Sequence, residues 1–154
     1  MTAEIRPDGK RMGFMARSFS GASCVLAHRD IRSRQRVGAY GVDVEAFDRL
    51  IVEPLEAAEP PAMYVIDEIG KMEIKSGRFV WLIERLASGA IPLLATVPLS
   101  PILLVAQVQK RSDVRLVRMT AASRVDASRM VAQWYAGLGF APARLGGGGN
   151  FGVA

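Results

Sequence analysis

From residue 44 onward, the sequence alternates between amphipathic segments with helical spacing and short apolar runs typical of strands. The first amphipathic segment follows Asp43, a residue suited to cap a helix, and precedes Pro60-Pro61, where a helix would end. Its apolar face consists of Val44, Phe47, Leu50, Ile51 and Leu55. Residues 62–66 then form a continuous apolar run, as in a strand buried in a parallel sheet. This alternation predicts an α/β fold with a parallel sheet.

The alternation continues to residue 138. A second helix is predicted from four apolar residues at helical spacing, namely Phe79, Leu82, Ile83 and Leu86. Residues 91–97 and 114–119 are predicted to be strands, residues 101–109 a short helix, and residues 123–138 the final helix.

The first 30 residues have a different pattern. Residues 2–6, 11–19 and 23–28 are short segments with β-branched or aromatic content. They are separated by Pro7-Asp8-Gly9 and by Gly21, which are turn signals. Together they predict an antiparallel β meander at the N-terminus.

The length of 154 residues and the 50% hydrophobic content are those of one ordinary globular domain. We place this domain at residues 1–140, with the meander in residues 1–30 and the αβ units in residues 43–138. The glycine run at residues 146–149 has few apolar anchors nearby, so residues 141–154 are predicted to be a flexible tail.

Composition limits the compartment and the partners. The single cysteine, Cys24, cannot form a disulfide within the chain, and the first residues do not form a secretion leader, so the cytoplasm is expected. The longest apolar run, residues 91–108, is interrupted by three prolines and predicts no membrane span. The net charge of +5 suits a phosphate-bearing partner, although the cluster of Arg29, Arg32, Arg34 and Arg36 is more typical of a solvated surface.

The segment with the most chemical information follows the run that ends at Ile66. Asp67 and Glu68 come directly after four apolar residues, which is the Walker B pattern. In that pattern the first carboxylate holds Mg²⁺ beside a triphosphate, and the next residue faces the γ-phosphate. Any strand that leaves a core can also meet acidic residues at its end, so the pattern alone does not decide between the two interpretations.

The continuation of this segment supports the Walker B interpretation. The string Asp67-Glu68-Ile69-Gly70-Lys71-Met72-Glu73 resembles the cancer-related and thermophile-type nucleoside-triphosphatase family of P-loop proteins. Further similarities follow in the family's order: Ala3-Glu4-Ile5-Arg6, Arg11-Met12-Gly13-Phe14, Val37-Gly38-Ala39-Tyr40-Gly41-Val42, Leu94-Ala95-Thr96-Val97-Pro98 and Ser123-Arg124. The resemblance covers roughly residues 2–135 and implies Mg²⁺-dependent hydrolysis of ATP, GTP and similar nucleotides.

The sequence departs from the family in one respect. Members open with a strand, a glycine-rich Lys-Thr loop and a helix, but this sequence contains no Gly-x-x-x-x-Gly-Lys-[Ser/Thr] motif. We therefore expect a three-layer, RecA-like P-loop sheet that lacks its first βα unit. A βα unit with its loop takes about 30 residues, which favours a truncated gene model over an evolved loss. Hydrolysis is expected to be lost or slow, because the loop positions the phosphates.

The resemblance implies a role for several residues at the ends of the predicted strands. Asp67 is expected to bind Mg²⁺, and Glu68 to orient the attacking water. Lys71 is a candidate to neutralise charge on the γ-phosphate, or alternatively to form an ion pair with Glu68 or Glu73. Thr96 is a candidate to hydrogen-bond the attacking water or a phosphate, or alternatively to cap the turn before Pro98.

Other residues carry weaker signals. Arg124, at the start of the last helix, is a candidate to pack on the base or to reach a phosphate, and is otherwise a surface residue. Tyr40 and Gly41 are expected to shape the loop before Asp43, with backbone freedom supplied by Gly41. His28 and Cys24 have no ligand partner nearby in the sequence and are interpreted as structural.

The sequence therefore favours a Mg²⁺-dependent nucleoside triphosphatase, represented by a chain without its phosphate loop. The alternative is a non-catalytic scaffold that retains the Walker B face and binds nucleotide, RNA or a partner protein. The expected substrate is a nucleoside triphosphate, RNA is a second candidate ligand, and the oligomeric state is left open.

Overall fold

The computed structural model describes residues 1–120 and 122–139 of the chain. The chain divides into two compact units, and the boundary lies between Val114 and Arg115. The predicted tail, residues 141–154, lies outside the described residues, and the predicted domain limit at residue 140 stays a prediction. Within the described residues, no helix is long and apolar enough to cross a membrane.

The first unit begins with a five-stranded antiparallel sheet of order β1-β2-β3-β5-β4. Its strands are β1 (Thr2–Ile5), β2 (Gly13–Arg17), β3 (Ser23–His28), β4 (Arg36–Val37) and β5 (Tyr40–Val42). The turn from β1 to β2 has positive φ angles at Asp8 (51°) and Gly9 (76°), and the turn from β2 to β3 has one at Gly21 (92°). The predicted meander is therefore confirmed, and the turns lie at the residues that favour this backbone.

The helical segment after β5 begins at Asp43, whose side chain accepts a hydrogen bond from the Ala46 N–H at 2.9 Å. The segment comprises α1 (Val44–Phe47), a π-helical turn (Asp48–Val52) and α2 (Glu53–Ala57). The wider turn precedes Pro54, which has no N–H to donate to the preceding turn. The predicted cap and the predicted helix are both confirmed.

The remaining elements of the first unit contain a two-stranded parallel sheet. They are β6 (Tyr64–Ile66), a 3₁₀ turn (Glu73–Lys75), α3 (Gly77–Ser88), β7 (Leu93–Ala95) and α4 (Leu103–Val108). The helix α3 buries the four apolar residues that were predicted from their spacing. Its N-cap Ser76 is fully buried, accepts a hydrogen bond from the Phe79 N–H at 2.9 Å and donates one to Asp48. This bond links the start of α3 to the π-helical turn.

The core lies between β3, the first helical segment and α3. Leu26 and Ala27 of β3 are fully buried, and the rings of Phe47 and Phe79 lie 5.4 Å apart. Phe47 and Phe79 thus join two helices across the core.

The predicted strand at residues 114–119 is wrong, because no strand forms there. Its four apolar residues favour a strand, but a strand also needs a neighbouring edge to pair with. This segment instead leaves Leu116 and Met119 exposed and crosses the boundary between the two units. The second unit contains α5 (Arg124–Gly137), which confirms the predicted final helix.

Candidate active site

The acidic end of β6 lies beside the end of β7. These two strands are parallel and pair Ile66 with Ala95, so the residues that follow, Asp67 and Thr96, are neighbours. The Thr96 hydroxyl donates a hydrogen bond to Asp67 Oδ1 at 2.5 Å. The Thr96 N–H donates to the Ile66 carbonyl at 3.0 Å, and the Ile69 N–H donates to the Thr96 carbonyl at 2.9 Å. The loop after β6 is therefore fixed against β7, and one oxygen of Asp67 is oriented by Thr96.

Glu68 is the next side chain along this loop. Part of it is exposed to solvent, yet desolvation by its surroundings raises the pKa of the carboxyl above its ordinary value. The negative charges of Glu73 and Asp67 raise this pKa further. A carboxylate whose pKa is raised accepts a proton more readily, which suits a group that takes a proton from water.

Glu73 belongs to the 3₁₀ turn that follows the loop, and it is 4% exposed. The hydroxyl of Thr2, on β1, donates a hydrogen bond to Glu73 Oε1 at 2.9 Å. Between the two glutamates lies Gly70, where a Cβ would stand 2.6 Å from both Glu68 Oε1 and Glu73 Oε2. One oxygen of each carboxylate therefore lies in the space that a side chain at residue 70 would fill.

A cavity of about 400 Å³ opens in front of these groups. Small-molecule sites typically enclose about 300–1,000 Å³, so the volume is sufficient for a ligand. One wall is formed by the loop after β6 and the other by the antiparallel sheet. The lining residues are Thr2, Ala3, Glu4, Phe14, Val37, Asp67, Glu68, Lys71, Met72, Glu73, Pro98 and Ser100.

Lys71 lines this cavity and is exposed. The structure describes Lys71, Glu68 and Glu73, and no ion pair joins the lysine to either glutamate. Both interpretations of Lys71, as a partner of the γ-phosphate and as a local ion-pair partner, therefore stay predictions.

The hydroxyl of Thr96 has a partner that neither the predicted phosphate contact nor the predicted turn cap includes. Its hydroxyl donates to Asp67, rather than serving only the turn before Pro98. Whether it also contacts water or a phosphate stays a prediction. Arg124 is the first residue of α5 in the second unit, but its side chain lies outside what the structure describes, so its predicted role also stays untested.

The residues interpreted as structural have structural surroundings. Gly41 is buried, and a Cβ there would lie 2.0 Å from the Ile31 carbonyl oxygen. The close approach of the Ile31 backbone, rather than a positive φ, explains this glycine. The Tyr40 ring packs edge-on against Phe14 with 5.2 Å between the centroids. Cys24 is buried in the core, and burial raises the pKa of its thiol.

His28 lies at the end of β3 and is held locally. Its Nδ1 accepts a hydrogen bond from the Asp30 N–H at 3.2 Å and lies 3.4 Å from the Asp30 carboxylate. Across residues 1–120 and 122–139, no three His, Cys, Asp or Glu side chains converge into a site that could hold a metal by themselves. A metal ion bound at the end of β6 would therefore take some of its ligands from a substrate or from water.

Sequence reasoning missed the connection from Thr2 to Glu73. The glycine between two glutamates in Glu68-Ile69-Gly70-Lys71-Met72-Glu73 is a signal in retrospect, because it allows two side chains to pack over one backbone position. No local pattern indicates that Thr2 would be their neighbour, because 71 residues separate it from Glu73.

Comparison with known proteins decides the family. A model of the family described as NTPase matches residues 1–131. The chain belongs to this NTPase family. The match includes both walls of the cavity and the whole acidic loop after β6.

Two relatives of the NTPase family illustrate the sequence similarity. The nucleoside-triphosphatase THEP1 of Thermotoga sp. (strain RQ2) is 34% identical over 124 residues, which cover 80% of this chain and 71% of that protein. The cancer-related nucleoside-triphosphatase of Homo sapiens is 31% identical over 137 residues, which cover 80% of this chain and 72% of the human protein.

Two solved structures of the NTPase family share the fold. The crystal structure of THEP1 from the hyperthermophile Aquifex aeolicus gives a TM-score of 0.78 at 27% identity and covers 87% of this chain and 80% of that one. The solution structure of a human cancer-related nucleoside triphosphatase gives 0.66 at 27% identity, with coverage of 86% and 78%. The predicted α/β fold and the predicted family are both confirmed.

Proposed function

We propose that the chain hydrolyses nucleoside triphosphates to diphosphate and phosphate at the cavity beside the end of β6. The observation that carries the proposal is the bond between Asp67 and Thr96, which brings the ends of two parallel strands together next to Glu68. In open α/β sheets, ligands bind outside the carboxyl ends of the strands. The relatives named nucleoside-triphosphatases support this reaction for the family.

Asp67 is the residue that would hold Mg²⁺. Its carboxylate is exposed, and Thr96 orients one of its oxygens. Because Mg²⁺ usually takes one or two protein carboxylates together with waters and substrate phosphates, a single oriented aspartate fits this ion. When bound, Mg²⁺ neutralises part of the charge on the phosphate oxygens.

Glu68 would orient the attacking water and accept its proton. It lines the cavity next to Asp67, and its raised pKa makes the carboxylate a stronger base than an ordinary glutamate. Lys71 lies along the same wall, where its positive charge would balance the γ-phosphate as the reaction proceeds. Thr96 acts through Asp67, by holding the carboxylate in one orientation.

We also propose that the 154-residue chain alone turns over slowly. Phosphoryl transfer depends on positioning and charge stabilisation, and the phosphate loop with its lysine normally supplies much of both. The 154-residue sequence contains no such motif. A form preceded by a strand, a glycine-rich Lys-Thr loop and a helix is therefore expected to release phosphate faster than the chain alone.

Phosphate release from ATP and GTP tests the proposal, with Mg²⁺ present or removed by EDTA. We expect release that requires Mg²⁺ and is lost in Asp67→Asn. In Thr96→Val, which removes only the partner of the aspartate, the Mg²⁺ concentration for half-maximal release should rise about 10–100-fold.

Asp8→Asn is the matched control, because Asp8 is an exposed aspartate in the turn between β1 and β2. Asparagine tolerates the positive φ of this position. Its rate should equal that of the wild type. Release that persists in EDTA, or that survives in Asp67→Asn, would contradict the assigned metal ligand. No release by either form of the chain would contradict the reaction itself and favour the scaffold alternative.

A further inference from the structure

Glu73 is a buried carboxyl group for which the proposed reaction has no direct use. It is 4% exposed, although glutamate is rarely buried to this extent without a partner. Its partner is Thr2, which is on the edge strand of the antiparallel sheet and donates to Oε1 at 2.9 Å. The bond therefore connects the two walls of the cavity, because Thr2 lies on one wall and Glu73 on the other.

The other oxygen of Glu73 faces Glu68. Both Glu73 Oε2 and Glu68 Oε1 lie 2.6 Å from the place where a Cβ of Gly70 would stand. Both oxygens thus lie in the space that a side chain at residue 70 would fill, and the negative charge of Glu73 disfavours a closer approach of the Glu68 carboxylate. Glu73 occupies the buried side of this space, so the carboxylate of Glu68 is left on the exposed side, at the cavity.

We infer that Glu73 is a positioning residue for Glu68, and that Thr2 holds Glu73 in place. The inference rests on the proposed function, in which Glu68 orients the attacking water. It gives the buried carboxylate of Glu73 a role that is separate from the binding of a metal by Asp67. It also makes the position of β1 part of the site, although Thr2 itself has no chemical role in hydrolysis.

Carboxyl NMR of the chain labelled with ¹³C at the glutamate side-chain carboxyl carbon tests the inference without nucleotide. The Glu68 signal is assigned as the one that disappears in Glu68→Gln. We expect this signal to shift in Glu73→Gln and also in Thr2→Val, which keeps the shape of the threonine but removes its hydroxyl. In Thr2→Ser, which retains the donor, the signal should stay at its wild-type position.

Amide hydrogen exchange of residues 2–5 shows whether β1 is still paired in each variant. If the amides stay protected in Thr2→Val and the Glu68 signal does not move, the inference is wrong. If Thr2→Val loses this protection, Glu73→Gln decides, and an unshifted Glu68 signal there overturns the inference.

Phosphate release by the same variants separates this inference from the proposed function. We expect Thr2→Val to lower kcat about tenfold, the effect of losing one hydrogen bond to a charged group, while KM is unchanged. If Thr2 only stabilised the fold, Thr2→Val would instead lower the fraction of folded protein, and kcat per folded molecule would equal that of the wild type and of Thr2→Ser. If Glu68→Gln releases phosphate as fast as the wild type, the proposed function fails, while the NMR signals still decide the positioning.

Discussion

Replacing Leu82 by alanine is expected to lower the free energy of unfolding by about 2–5 kcal/mol. Leu82 is fully buried on α3 and belongs to the core that lies between β3 and the first helical segment. Truncation removes apolar contacts and leaves a cavity that the surrounding side chains fill only in part. Urea unfolding followed by circular dichroism measures the change as a lower midpoint with an unchanged slope.

Leu103→Ala is the matched control for this prediction. Leu103 is also a helical leucine, on α4, but it is 76% exposed. Its truncation should change the free energy of unfolding by no more than about 0.5 kcal/mol. Equal effects of the two substitutions would show that α3 is not packed in the core as described.

Replacing Gly41 by alanine is expected to destabilise the chain by about 1–3 kcal/mol or more. The added Cβ would lie 2.0 Å from the Ile31 carbonyl oxygen and 2.9 Å from its carbon. These are backbone atoms, so the clash cannot be relieved by a side-chain rotation, and β5 or the loop at Ile31 must shift. Thermal unfolding measures the effect as a lower Tm.

Gly77→Ala is the corresponding control. Gly77 is the first residue of α3, and apart from its chain neighbours and the backbone of its own helix, no atom of the described residues lies within 4 Å of the position of its added Cβ. Alanine there should leave stability unchanged or raise it by up to about 1 kcal/mol, because it restricts the unfolded chain. A stable Gly41→Ala variant would contradict the close approach of β5 to Ile31.

The local signals of the sequence predict much of the fold. Pro7-Asp8-Gly9 and Gly21 indicate the two turns of the meander, and Asp43 indicates the start of the first helix, because each has a conformational or hydrogen-bonding preference of its own. The short strands β4 and β5 are not predicted as strands, because residues 36–42 contain no continuous apolar run and are interrupted by Gly38 and Gly41. The error at residues 114–119 has a different cause, since the apolar segment there has no neighbouring strand to pair with.

The sequence predicts the part of the candidate site that is formed by the ends of neighbouring parallel strands. Two apolar runs of a parallel sheet place Asp67 and Thr96 at the same edge, and the structure joins them by a hydrogen bond. The burial of Glu73 could not be predicted, because it depends on Thr2 from a different sheet. The chemical roles of Asp67, Glu68, Lys71, Thr96 and Arg124 stay predictions, as do the Mg²⁺ requirement and the binding of RNA.

Single-turnover phosphate release by Glu68→Gln tests the central claim most directly, in the chain alone and in the form preceded by a phosphate-loop unit. We expect a rate about 10²–10⁴-fold below the matched wild type, the usual contribution of a general base, while nucleotide affinity is retained. Glu59→Gln, a change at an exposed glutamate beyond α2, should keep the wild-type rate. A wild-type rate in Glu68→Gln, or an equal loss in Glu59→Gln, would contradict the assignment of the acidic end of β6 as the site of hydrolysis.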